Sequence, residues 1–147
     1  MNDLYSKLSP VQVVVPVKVL DATTPADAEI DLIGFSGALI TISCGAKGGG
    51  DTGTIDVTLT HAADNGAGAA GSYAAVTASD VLGPATVTAG VIKNLATGAV
   101  SAAIYKVGYV GGKRFIKIAV TETGSNATGT MMSISVIKGF PEVAPAA

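Results

Sequence analysis

The alternation of side chains along this chain predicts an all-β protein: an antiparallel β-sandwich or barrel of about seven or eight short strands, with extended N- and C-terminal arms. Three observations carry that expectation. Apolar, mostly β-branched residues recur at every second position in several short runs. Runs rich in Gly, Asn and Asp punctuate them. No stretch keeps the three-to-four spacing of a long amphipathic helix.

The stretch from Ala99 to Glu122 organises the rest. It reads as two strands folded back at Gly111-Gly112, a pair able to supply the positive φ angles of a tight primed turn. Before the turn, Ile104, Lys106 and Gly108 share one face and Tyr105, Val107 and Tyr109 the other. After it, Ile116, Ile118 and Val120 make a β-branched stripe opposite Phe115, Lys117 and Ala119. Two such apolar faces need a second sheet to pack against.

The remaining elements follow in order. Residues 1–10 form the first arm, 11–139 a single β domain and 140–147 the second arm, whose prolines cannot join a central strand. Val11 to Leu20 places Val13, Val15, Val17 and Val19 on one face, and Pro16 argues for a sheet edge. Turn chemistry from Asp21 to Asp27 leads to a short extended piece, Glu29 to Ile33, ending at Gly34. In the next strand Ile40, Ile42 and Cys44 face one way and Leu39 and Thr41 the other. The Gly-rich run 45–53 reads as a flexible loop. Ile55, Val57 and Leu59 then alternate strictly with Thr54, Asp56, Thr58 and Thr60, so one face is core. Residues 62–72, nearly all Ala, Gly, Asp and Asn, read as a long exposed loop. Tyr73 to Val76 reads as a short strand, Ala78 to Gly83 as one helical turn capped by Ser79, and Thr86 to Leu95 as further β-formers. A last strand carries Met132, Ile134 and Val136 and ends at Gly139.

Composition narrows the function. Of the 147 residues 48% are hydrophobic and only 14% charged, a thinly charged surface of small residues that suits a protein working inside an assembly. A net charge of -2 and nine scattered Lys and Arg leave no footprint for nucleic acid. The single cysteine, Cys44, forms no intramolecular disulfide and reads as a small buried hydrophobe. No secretion signal is expected, and the richest apolar run, Val11 to Leu20, is broken by Gln12, Pro16 and Lys18, so no membrane span is expected either.

Catalytic chemistry finds little to work with. His61 is the lone histidine, so neither a His-based metal cluster nor a reserve histidine for a nucleophile relay exists. Asp51, Asp56, Asp64 and Asn65 are the best oxygen set for Ca²⁺, but their spacing matches no EF-hand and Asp64-Asn65-Gly66 serves equally as a turn. The run 45–53 lacks the Gly-Lys-Ser/Thr ending of a phosphate-binding loop. Asn126-Ala127-Thr128 fits a glycosylation pattern without a secretion signal to use it. Tyr105, Tyr109 and Phe115 read as core or interface packing. No catalytic, cofactor or metal residue is expected, and no cofactor.

Several segments together resemble the head decoration, or capsid cement, proteins of tailed bacteriophages. They are Asp31-Leu32-Ile33-Gly34-Phe35, Ile55-Asp56-Val57-Thr58-Leu59-Thr60 with its polar loop, Asp80-Val81-Leu82-Gly83, Tyr105-Lys106-Val107-Gly108-Tyr109-Val110-Gly111-Gly112-Lys113-Arg114-Phe115, and Val136-Ile137-Lys138-Gly139-Phe140-Pro141. The loop 62–72 departs from the pattern. The resemblance implies a non-enzymatic virion protein on the capsid surface, bound to the major capsid protein, as a homo-oligomer with a trimer favoured, without nucleic acid or membrane. Partner contacts are expected from Leu4 and Tyr5 in the first arm, from Lys113 and Arg114 past the turn, and from Phe140, Pro141 and Val143 in the second. Lys113 and Arg114 could meet carboxylates, or form only a solvated end. The alternative role is a tail, tail-fibre or other virion surface component acting in host attachment. An enzyme would need clustered titratable groups that the sequence does not supply.

Overall fold

Two five-stranded antiparallel sheets lie face to face in the computed structural model, which describes residues 4–21, 25, 27–84, 86–96 and 101–142. In chain order the strands are β1 (Leu8–Val19), β2 (Ala28–Asp31), β3 (Phe35–Cys44), β4 (Thr54–Ala62), β5 (Ala74–Ala75), β6 (Val81–Leu82), β7 (Val91–Leu95), β8 (Ala103–Tyr109), β9 (Phe115–Thr123) and β10 (Thr130–Pro141). The first sheet runs β1-β10-β3-β8-β6; the second runs β2-β9-β4-β5, with β7 also on β4. The class is the β-sandwich that the alternation predicts, with ten strands instead of seven or eight. β5 falls within Tyr73 to Val76, the expected short strand, whereas β6 falls in the expected helical turn, its two residues giving periodicity nothing to act on.

Every second residue of the inner strands points into one continuous core. Ile40, Ile42, Ile134 and Val136 of the first sheet meet Ile55, Val57, Leu59, Ile116 and Ile118 of the second, all fully enclosed. Burial of a side chain of this size contributes roughly 1.5–3 kcal/mol, which makes this layer the main source of stability. Val120 and Tyr109 belong to the same cluster, and Cys44 is buried as a small apolar residue.

Four expectations require correction. First, β8 and β9 are not a hairpin: β8 bonds to β3 and β6, whereas β9 bonds to β2 and β4. Residues 110–114 cross from one sheet to the other. Only Gly112 of the glycine pair has a positive φ, so the primed two-residue turn does not form. The alternation is the same for a hairpin and a crossover, and the partners decide: β9 aligns along the whole of β4 and β8 along most of β3.

Second, the valine stripe of β1 does not stay on one face. Register shifts between Gln12 and Val14 and between Val14 and Val17 bury Val14 and leave Val15 63% exposed. Val13, Val17 and Val19 still pack on the core; between the shifts Val14 takes the inward place of Val15, as bulges of this kind allow. Pro16 sits in the second shift, on an edge strand as its missing N–H demands. Third, Ala78 to Gly83 is a turn followed by β6. Asp80 accepts hydrogen bonds from the Thr77 amide and hydroxyl at 2.8 and 2.7 Å, and closes the turn that the sequence assigned to a Ser79 cap. Fourth, the run 45–53 is tied down: Lys47 and Asp51 are both buried, and the Asp51 carboxylate accepts from the Thr128 and Gly129 amides at 2.8 Å each.

The strands also extend into both expected arms. Leu8 to Pro10 pair with Gly139, Lys138 and Ile137, and β10 continues through Phe140 to Pro141. What precedes β1 is a 3₁₀ turn, Tyr5–Lys7, packed on β1 and β10. Val143 lies outside the described residues.

Candidate functional site

The outer face of the first sheet carries a hollow that cross-strand register creates. Cross-strand pairing aligns Leu8, Gly139 and Gly37 in one row and Pro10, Ile137, Leu39, Gly108 and Leu82 in the next. Gly139 and Gly37 in the first row and Gly108 in the second remove side chains that would cover the sheet. The result is a depression of about 510 Å³ walled by Leu8, Leu39, Leu82, Val110, Ile137 and Phe140, with no charged residue in its lining. A side chain on Gly108 would press on Leu82 Cβ at 3.3 Å, so the floor accepts no larger residue without a shift of its wall.

Phe140 is the exceptional member. It is 81% exposed and holds φ at 56°, a left-handed conformation that costs an L-residue about 1–2 kcal/mol. A bulky apolar ring held in strain and in water is poor value for the isolated domain. Close by, the turn before β1 presents Tyr5 at 94% and Leu4 at 67% exposure. Four of the seven residues expected to contact a partner, Leu4, Tyr5, Phe140 and Pro141, therefore gather at one end of one sheet. Sequence reasoning missed Leu8, Leu39, Leu82, Val110 and Ile137. Their outward position follows from the alternation of each strand, but their convergence depends on pairing between strands distant in sequence.

Lys113 and Arg114 lie at the same end, beside a second, polar cleft that shares Ser36 and Tyr109 with the hollow. The Arg114 guanidinium is engaged within the chain: Nε donates to Asp31 Oδ1 at 2.9 Å, one terminal nitrogen to Asp31 Oδ2 at 2.7 Å, and the other to Asp64. These bonds hold the Asp31 carboxyl below its ordinary pKa and raise that of Arg114. Asp64 is lowered chiefly by the Gly66 and Gly68 amides. The loop 62–72 is thus exposed but built: Asp64 bridges to Ala70, Asn65 Oδ1 caps the amides of Ala67 and Ala69, and Arg114 clamps it to β2. Lys113 is exposed, and its amide donates to the Tyr109 hydroxyl at 3.1 Å.

Tyr109 fixes this corner. Its hydroxyl also bonds His61 Nδ1 at 3.0 Å, which links β8 of one sheet to β4 of the other, and burial raises its pKa. Gly111 must lack a side chain, because a Cβ would come within 2.9 Å of Asp80 Oδ1 and of the Tyr109 ring.

The oxygen-rich residues are dispersed. Asp51 binds the 128–129 amides, Asp56 accepts from Asn94, and Asp64 and Asn65 organise their own loop. Among the described residues no group of three or more His, Cys, Asp or Glu is placed to hold a metal ion. Asn126, of the glycosylation pattern, is fully buried, and its amide donates to Glu122 and to the Thr123 carbonyl.

No family model and no curated protein matches the chain. Among solved structures, the CBM22-1–GH10 modules of the Clostridium thermocellum xylanase 10B, complexed with xylohexaose, align with 97% of this chain and 28% of that chain, at 11% identity and a TM-score of 0.44. The chain spans under a third of that protein, and at this TM-score the alignment carries no argument.

Proposed function

We propose that this protein is a viral structural protein that binds the outer surface of an assembled capsid and stabilises it. The supporting observation is the apolar end of the first sheet, where Phe140 is held strained and exposed beside an uncharged hollow: a surface with this composition suits a protein neighbour. Of the five segments that resemble phage decoration proteins, three, Asp80 to Gly83, Tyr105 to Phe115 and Val136 to Pro141, contribute residues to that end. The mechanism is repeated burial of modest contacts, many times over a lattice. A protein that prefers the closed shell to the open one stabilises it by mass action, by about 2.7 kcal/mol per site at a hundredfold excess over Kd.

The test is to strip the protein from particles, add it back and follow their thermal opening. Re-occupancy at a stoichiometry set by the lattice, with opening moved to higher temperature, supports the proposal. Full re-occupancy with unchanged opening rejects it, and protein located only at the tail replaces it with the host-attachment reading.

A further inference from the structure

We propose that the chain cross-links itself: the Lys47 amine displaces ammonia from the Asn126 carboxamide, with Glu122 carrying the protons, and leaves an isopeptide bond. The inference goes beyond the shell-surface reading and does not rest on it. Lys47 is only 8% exposed, and its ammonium donates to the Gly53 carbonyl. An ammonium has three donors and its charge is costly to bury unpaired, yet among the described residues no carboxylate lies within ion-pair distance of this one. Asn126 is fully buried. Its Nδ2 has only long bonds, to Glu122 Oε1 at 3.3 Å and the Thr123 carbonyl at 3.5 Å, and its Oδ1 has no hydrogen-bond partner among the described residues.

Both side chains reach Gly53: its carbonyl accepts from the ammonium, and a Cβ there would fall 2.9 Å from Asn126 Cγ. Glycine keeps that space clear. The backbone holds the two segments together, since the Thr52 and Gly53 amides both donate to the Ser125 carbonyl, at 2.9 and 2.8 Å, and Asp51 accepts from the Thr128 and Gly129 amides. Groups held in one packed site gain the proximity that an amine needs to react with a carboxamide.

The Lys47 ammonium first gives one proton to the Glu122 carboxylate. The freed Nζ lone pair attacks Asn126 Cγ and forms a tetrahedral adduct. As the Cγ–Nδ2 bond breaks, Nδ2 takes the proton back from Glu122 and one from Nζ and departs as an ammonium ion. One C–N bond replaces another, so no oxidant or further reactant is needed. Glu122 is the group that touches the leaving nitrogen. The product removes the buried charge, and its amide N–H keeps the bond to the Gly53 carbonyl. It ties the run 45–53 to the segment after β9, a covalent staple that a chain with one cysteine cannot make as a disulfide.

Mass spectrometry of the denatured full chain tests this. The expected mass is about 17 Da below that of the unmodified chain, the loss of one ammonia. Trypsin should leave residues 19–93 uncut at Lys47 and joined to residues 118–138. Lys47→Met and Asn126→Ser should each show no loss. Glu122→Gln should slow bond formation by about 10²–10⁴-fold, read as the cross-linked fraction against time after cell-free synthesis; an equal rate removes Glu122 from the step. The unmodified mass with free peptides 19–47 and 118–138 overturns the inference. So does a 17 Da loss confined to 118–138, which marks Asn126 cyclising on its own backbone. The wild-type chain alone decides these outcomes, so a variant that fails to fold leaves the test intact.

Discussion

Phe140 pairs a conformational cost with an exposed ring, and glycine at that position separates the two. Phe140→Gly removes a left-handed penalty of about 1–2 kcal/mol and adds roughly 0.5–1 kcal/mol of unfolded-state entropy, so the domain should be unchanged or more stable by up to about 1.5 kcal/mol. The same variant should attach to stripped particles more weakly. Denaturant unfolding alongside titration onto particles checks both; a destabilised domain with intact attachment would show the ring to be structural. Asp31 gives a pH prediction of definite sign. Its folded pKa lies below the ordinary 3.8, so its bond to Arg114 contributes fully above that value and is lost as pH falls through the folded pKa. Asp31→Asn should therefore lower the thermal midpoint near neutral pH and flatten its fall below about pH 4, by a modest amount because the pair is partly exposed. An unchanged acid profile would assign the fall to other carboxylates. At this scale the sequence marked Phe140 and Arg114 as candidates, but neither the strain of the first, which falls where β10 skips a residue against β3, nor the internal commitment of the second to Asp31, far away in the chain.

Among the elements, legibility followed length and strictness of alternation. Ile55, Val57, Leu59, Ile116, Ile118 and Val120, read as core from period alone, are all buried, while in β1 the same reading holds for Val13, Val17 and Val19 but fails at Val15, where bulges shift the period. The turn at Gly111-Gly112 was legible as a reversal but not as a change of sheet, since pairing across a sandwich leaves no local trace. Ile118→Asp should abolish folding: an unpaired carboxylate at a fully enclosed site costs several kcal/mol, comparable with a domain's whole stability. A soluble, cooperatively melting variant would remove Ile118 from the core. Gly53→Ala tests the reading of the run 45–53 as packed structure. A Cβ there would lie 2.3 Å from Asn126 Nδ2 and 2.4 Å from the Thr123 carbonyl, so the variant should be destabilised by about 1–3 kcal/mol in urea unfolding, whereas a flexible loop would register almost nothing.

For the molecule as a whole, the sandwich was written in composition and period, and the candidate site only in fragments, because a face is a property of paired strands. The turn ahead of β1 permits a test of how that face serves attachment. Removing residues 1–7 takes away Leu4 and Tyr5 but leaves every pair between β1 and β10, so the thermal midpoint of the isolated domain should stay within a few degrees. Removing residues 1–10 also deletes three β1–β10 pairs and the Leu8 wall of the hollow, and should cost the domain measurable stability. If this end holds the shell, both truncations should weaken attachment to stripped particles, the longer one more, because the first removes the exposed Leu4 and Tyr5 and the second also the Leu8 wall of the hollow. Titrating each truncation onto particles and comparing half-occupancy concentrations measures this directly. Equal occupancy for full-length and both truncated chains would show that the first sheet's apolar end takes no part in holding the shell.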